Sequence, residues 1–83
     1  MEREQVRNAI YMAISNKAHV SLKDLSDETK FSDFPVWDSL DFMCVASDVE
    51  NELKVRLPDQ AEDLMQSETI GELVSKVCEC FHV

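Results

Sequence analysis

The sequence predicts an all-α fold, a four-helix bundle of three main helices plus one short helix, with a long loop between the first and second helices. Three observations carry this. Hydrophobic residues make up 45% of the 83 residues while glycine occurs once and proline twice, so there is enough to bury and little punctuation for a turn-rich β architecture. Apolar residues recur at spacings of three and four in separate stretches, and helix-start chemistry stands before the later ones. The length suits a single domain spanning residues 1–83, near the lower end of the size at which one apolar core holds a fold without staples.

The elements are justified in chain order. Val6, Ile10, Ala13 and Ile14 predict a first helix from about residue 4 to about residue 16. Residues 17–37 show no sustained period, but Val20, Leu22, Leu25, Phe31 and Phe34 are spaced as anchors; a connection of this length carries a function or short helical turns of its own. Asp38 is the expected N-cap of the second helix, with Asp41 at N3 near the positive end of the helix dipole and Trp37 and Phe42 placed as a hydrophobic staple. Its core face is Phe42, Val45, Ala46, Val49 and Leu53, and it is expected to stop before Pro58, whose ring pushes Leu57 out of helical geometry. Asp59 with Glu62 caps a short third helix with Ala61, Leu64 and Met65 inward. Thr69-Ile70-Gly71-Glu72 reads as a capping box for the last helix, whose inner face is Ile70, Leu73, Val74, Val77, Cys78 and Phe81.

The formal charge is −9, and residues 38–68 hold nine acids against Lys54 and Arg56. Nucleic acid and anionic membranes are therefore poor partners, whereas proteins with basic patches are good ones. The first residues are charged, and the apolar runs 10–14 and 42–46 are too short for a signal segment or a membrane span, so a cytoplasmic protein is expected. Three cysteines, Cys44, Cys78 and Cys80, do not suggest a disulfide framework. Nor do Cys78, Cys80 and His82 make a metal site, because on a helix Cys80 points away from the other two. His19 and His82 are the only histidines, neither in a nucleophile constellation, so no catalytic residue is assigned and the chain is read as a non-enzyme.

Asp38-Ser39-Leu40 puts a hydroxyl at the first position of a helix directly after the long loop. There it is expected to be exposed, with free amides and the helix dipole favouring an added negative charge, which suits a phosphodiester. For the tripeptide alone, ordinary capping is the commoner reading.

The wider pattern resembles the acyl carrier protein family across almost the whole sequence. The resemblance rests on Asp38-Ser39-Leu40-Asp41 opening an acidic helix, Phe31 eight positions before the serine, Leu57-Pro58-Asp59, and Thr69-Ile70-Gly71-Glu72-Leu73 opening the last helix. It implies that Ser39, flanked by Asp38 and Leu40, carries 4′-phosphopantetheine, whose thiol holds an acyl or aminoacyl group as a thioester. The implied partners are a phosphopantetheinyl transferase and loading and synthase enzymes of fatty acid, polyketide or related biosynthesis, met by a monomer. Helical geometry sets Leu40, Met43, Cys44, Ser47 and Asn51 opposite the core, so Leu40, Asp41, Met43, Ser47, Asp48 and Glu50 are the expected partner-binding residues. Where many family members have Leu-Gly before the motif, this chain has Pro35 and Val36, then Trp37; a glutamate often found on the second helix is replaced by Cys44. These departures imply a specialised member. The competing reading is an adaptor that docks a partner through the acidic helix without an arm.

Overall fold

The apolar spacing along residues 6–14 becomes helix α1 (Arg3–Ala18), which buries Val6, Ala9, Ile10, Tyr11, Ala13 and Ile14. The computed structural model describes residues 2–57 and 62–83, apart from the side chains of residues 62 and 63. The helix runs two residues past the expected end. It stops where His19 turns left-handed at φ 58°, its neighbour Val20 donating back to the Ser15 carbonyl at 3.2 Å and the Ser15 hydroxyl donating to the Val20 carbonyl. Histidine tolerates that conformation better than most residues, but it is not a stop signal that a sequence announces.

The long connection holds two 3₁₀ turns, Leu22–Asp24 and Phe31–Asp33. Leu25 and Phe31 are buried, and Val20 and Phe34 pack partly buried against the core. Leu22 is not an anchor: it is 50% exposed, because the turn it opens delivers Leu25 to the core instead. A polar relay pins the connection to α1. Arg7 Nη2 donates to the Tyr11 hydroxyl at 3.0 Å, Tyr11 donates to Asp27 Oδ1 at 2.5 Å, and the guanidinium lies 4.4 Å from the Tyr11 ring centroid. Burial, then the hydrogen bond and charge of Asp27, push the Tyr11 pKa up to about 12, against an opposing effect of Arg7. A raised folded-state value means that stability is fully present below the ordinary tyrosine pKa and is lost as pH rises through the folded one. Stability should therefore fall between about pH 10 and about pH 12, and Tyr11→Phe should remove that step; denaturant midpoints across this range test it.

Helix α2 (Ser39–Leu53) buries Phe42, Val45 and Val49, with Leu53 partly buried against the same core. It ends earlier than Pro58 implies. Lys54 takes a left-handed conformation at φ 56°, donating to the Glu50 carbonyl, and residues 55–57 continue without helix. The cap pair Asp59 with Glu62 and the inward placing of Ala61 lie outside the described residues. The third helix is a single turn, α3 (Glu62–Met65), with Leu64 buried and Met65 partly so. Helix α4 (Ile70–Cys80) buries Ile70, Leu73, Val74, Val77 and Cys78, while Phe81 is only partly covered.

The packing is helical throughout: α1 lies chiefly against α2 and also against α4, and α3 touches both α2 and α4. Among the described residues no strand occurs, only one bridge between Lys30 and Thr69. That bridge belongs to a seam that closes the start of α4. Its first amides are taken by Thr29 O (from Ile70, 3.0 Å) and Asp27 O (from Gly71, 2.9 Å), then by Thr69 Oγ1 (from Glu72, 3.2 Å) and Thr69 O (from Leu73, 3.2 Å). No amide of this turn is left over. The capping box is modified: the Glu72 carboxylate accepts from the Glu68 amide at 2.6 Å, one residue before the cap, rather than from the amide of the cap residue Thr69.

Candidate functional site

At the start of α2 the arrangement is the reverse. The Asp38 carboxylate caps Leu40 and Asp41 through Oδ1 at 3.0 and 3.2 Å, Asp41 Oδ2 accepts from the Asp38 amide at 2.9 Å, and the Phe42 amide reaches the Asp38 carbonyl at 3.3 Å. This is a reciprocal capping box: the expected cap Asp38 is in place, and Asp41 at N3 also returns to the Asp38 amide, which its reading as a dipole partner did not include. The staple is also formed, with the Trp37 and Phe42 rings edge to face at 5.5 Å. Ser39 sits exposed at the first helical position, and neither its hydroxyl nor its amide has a hydrogen-bond partner among the described residues. The free amides expected here reduce to Ser39's own, since the Asp38 side chain has taken the next two. An anion on this hydroxyl would stand beside the Asp38 and Asp41 carboxylates, so like-charge repulsion turns it outward to water.

Phe31 holds the approach to the site. It is buried from the loop side, its ring stacked on Trp37 at 5.3 Å and edge to face with Phe42 at 4.6 Å, with Phe34 at 6.2 Å. The loop before Ser39 is therefore anchored by aromatic packing in the absence of glycine.

The surface residues divide into two groups. Leu40 and Met43 are 66% and 54% exposed, and Cys44, Ser47, Asp48 and Asn51 are exposed on the same helix. Val36, three residues before Ser39, is 82% exposed as well, an apolar surface residue the helical reading of α2 could not include. The other two acids are engaged inside the molecule. Asp41, besides its capping role, lies 3.6 Å from Lys17 Nζ, and the half-buried Glu50 accepts from the Leu57 amide at 2.8 Å. Asp48 lines a cleft between α1 and α2 with Met12 and Glu52.

The bundle interior bordered by Val45, Val49, Leu64 and Val77 has a free volume of only about 10 Å³, about enough for one water. Cys78, beside it in the core, is fully buried; burial pushes its thiol pKa up, opposed by Arg3, so it is held protonated and unreactive. Cys44 is exposed and Cys80 half-buried.

Residues 8–77 match the model of a family described as a phosphopantetheine attachment site. The chain is 31% identical over 77 residues to the acyl carrier protein of Chlorobium phaeobacteroides, covering 93% of this chain and 96% of that protein. To the acyl carrier protein of Thermotoga maritima it is 32% identical over 75 residues, 90% of each. The chain belongs to the acyl carrier protein family. The cofactor of this family is covalent 4′-phosphopantetheine, and the carrier fold here offers a hydroxyl suited to it: exposed, unpaired, at the open end of a helix and bordered by exposed Leu40. Among the described residues no helix is long and apolar enough to cross a membrane, and no cluster of three or more His, Cys, Asp or Glu residues could hold a metal.

Proposed function

We propose that Ser39 is the attachment residue and that the chain, as one carrier domain, presents acyl or aminoacyl groups to partner enzymes without catalysing their chemistry. The observation that carries this reading is the Ser39 hydroxyl, exposed and without a hydrogen-bond partner, on a helix whose next two amides are held by Asp38. When attached, the group supplies a terminal thiol on which cargo is held as a thioester. Asp38 and Asp41 hold the backbone of the helix start, so the residue that bears the hydroxyl is presented at a fixed place. In the test, the protein is incubated with coenzyme A, Mg²⁺ and several broad-specificity phosphopantetheinyl transferases, then weighed intact. One arm-sized increment is expected, and it should be absent in Ser39→Ala; no increment with any transferase would favour an adaptor without an arm.

Partner docking is assigned to Leu40, Met43, Ser47 and Asp48, with Val36 added, because these are exposed around Ser39. Weak, fast encounters suit a shuttle, and the acidic middle of the chain supplies long-range attraction to basic partners. Asp41 and Glu50 contribute to that field while serving as intramolecular acceptors. Asp48 is the cleanest probe, being exposed and outside the capping network. Asp48→Lys should slow loading by up to about tenfold at low salt and flatten its salt dependence; an unchanged rate and salt slope would remove the steering role. The substitutions Pro35, Val36 and Cys44 on this surface support a specialised carrier serving a dedicated pathway.

A further inference from the structure

Two carboxylates border Ser39, and one of them has a cation of its own. Asp41, the third residue of α2, accepts the Asp38 amide through Oδ2 at 2.9 Å and faces Lys17 Nζ through Oδ1 at 3.6 Å. Its side chain is only 16% exposed, so this ion pair is screened less than an open surface one. Through Asp41 the ammonium stands two contacts from the backbone of Asp38, the residue next to Ser39.

Lys17 reaches the site from another element. It lies in the last turn of α1, where a cation also answers the negative end of that helix's dipole. Arg3 and Arg7 sit ten or more residues back, about 15 Å or more along the axis. Arg56 lies beyond the far end of α2, a helix about 22 Å long. The local charge shows what Lys17 is placed to do. Asp38 and Asp41 with Lys17 leave one net negative charge beside the hydroxyl; a phosphodiester on Ser39 makes it two, and without Lys17 it would be three. Asp38 is eased by the amides of Leu40 and Asp41, which it accepts at 3.0 and 3.2 Å, but amides are dipoles and bring no net counter-charge.

We propose that Lys17 is a positioning residue for the modified site: its ammonium offsets Asp41 and, once Ser39 is esterified, draws the phosphodiester towards the end of α1. The inference rests on attachment at Ser39. It gives the outward turn of the phosphate a direction, because one side of the helix start offers a cation and the capping side offers carboxylates. It also assigns a residue outside α2 to the presentation of the arm. The ion pair with Asp41 thus does more than hold α1 to α2, a task in which an exposed pair contributes little.

The test reads the change in melting temperature that the arm brings. The parent, Lys17→Gln, Lys17→Arg and Arg56→Gln are each prepared without and with the arm, intact mass confirming both forms. Melting is followed at low and at high salt, where the screening length is about 30 Å and about 3 Å. Taking the difference between the two forms of one variant cancels any loss of stability common to both. At low salt the arm-induced change should be less favourable in Lys17→Gln than in the parent by about 2–4 °C, and high salt should abolish that gap. Lys17→Arg keeps the charge and should behave as the parent does. Arg56→Gln removes the same unit of charge from an exposed position at the other end of α2, and should leave the change as it is in the parent. If Lys17→Gln melts lower by the same amount in both forms, Lys17 is structural only and the proposal is overturned. An effect of equal size in Arg56→Gln overturns it too, since overall charge would then be the cause. Absence of the arm from the parent by mass defeats the attachment as well; an arm present with no gap defeats the role of Lys17 alone.

Discussion

Phe31→Ala should destabilise the fold by about 3–5 kcal/mol, a large share of the roughly 5–15 kcal/mol by which domains are stable at all. The ring is 5% exposed and touches three other aromatic rings, so its removal takes away the transfer energy of a phenyl group and also leaves a void. Its partners are unusual in their placing. Trp37 and Phe42 stand on either side of Ser39, so the loss is felt at the presentation of the hydroxyl as well as in the core. A lower denaturant midpoint should therefore be accompanied by slower transferase loading at a temperature where the variant remains folded. If the midpoint drops while loading is unaffected, the aromatic cluster supports the fold without aligning the site.

Gly71→Ala is the second large effect, and its sign runs against helix propensity. In an open helix interior the change would stabilise by roughly 0.5–1 kcal/mol. Here an added Cβ would lie 2.9 Å from both Cβ and the carbonyl oxygen of Asp27, and that oxygen already accepts the Gly71 amide at 2.9 Å. A backbone carbonyl in a hydrogen-bonded seam cannot swing aside as a side-chain tip can. Overpacking of this kind costs about 1–3 kcal/mol, which outweighs the propensity gain. There is a distal signature. Displacing Asp27 loosens its bond to Tyr11, so the phenol should titrate closer to the ordinary tyrosine range in Gly71→Ala, measurable by ultraviolet absorbance. A variant as stable as the parent, with an unshifted phenol, would show that the seam has slack.

Local periodicity and capping account for most of the agreement between sequence and fold. Val6, Ile10, Ala13 and Ile14, and Ile70, Leu73, Val74, Val77 and Cys78, face the core as their spacing requires, and Asp38 and Asp41 form the box their separation allows. The helix ends are harder to read. His19, Lys54 and His82 all adopt left-handed conformations at φ 56–58°, whereas the single glycine is spent inside a helix at a close approach. A search for glycine at the stops finds none; each stop is closed instead by backbone hydrogen bonds within its own last turn, from Val20 to Ser15, Val55 to Glu50 and Val83 to Cys78.

At the site, the exposure of Ser39 follows from local pattern: a cap residue before it, a staple around it and a helix after it. Local pattern could not decide how the surrounding polar groups are used. Whether Asp41 gains a second, ionic partner and Glu50 an amide depends on where Lys17 and Leu57 arrive, and both lie outside α2. Trp37 and Ser67 line one cleft although they stand thirty positions apart, which no periodicity connects. Helix faces and caps are properties of a few consecutive residues and can be written into sequence. Clefts, seams and the satisfaction of individual donors are set by which distant segments meet, and that is decided only when the core closes.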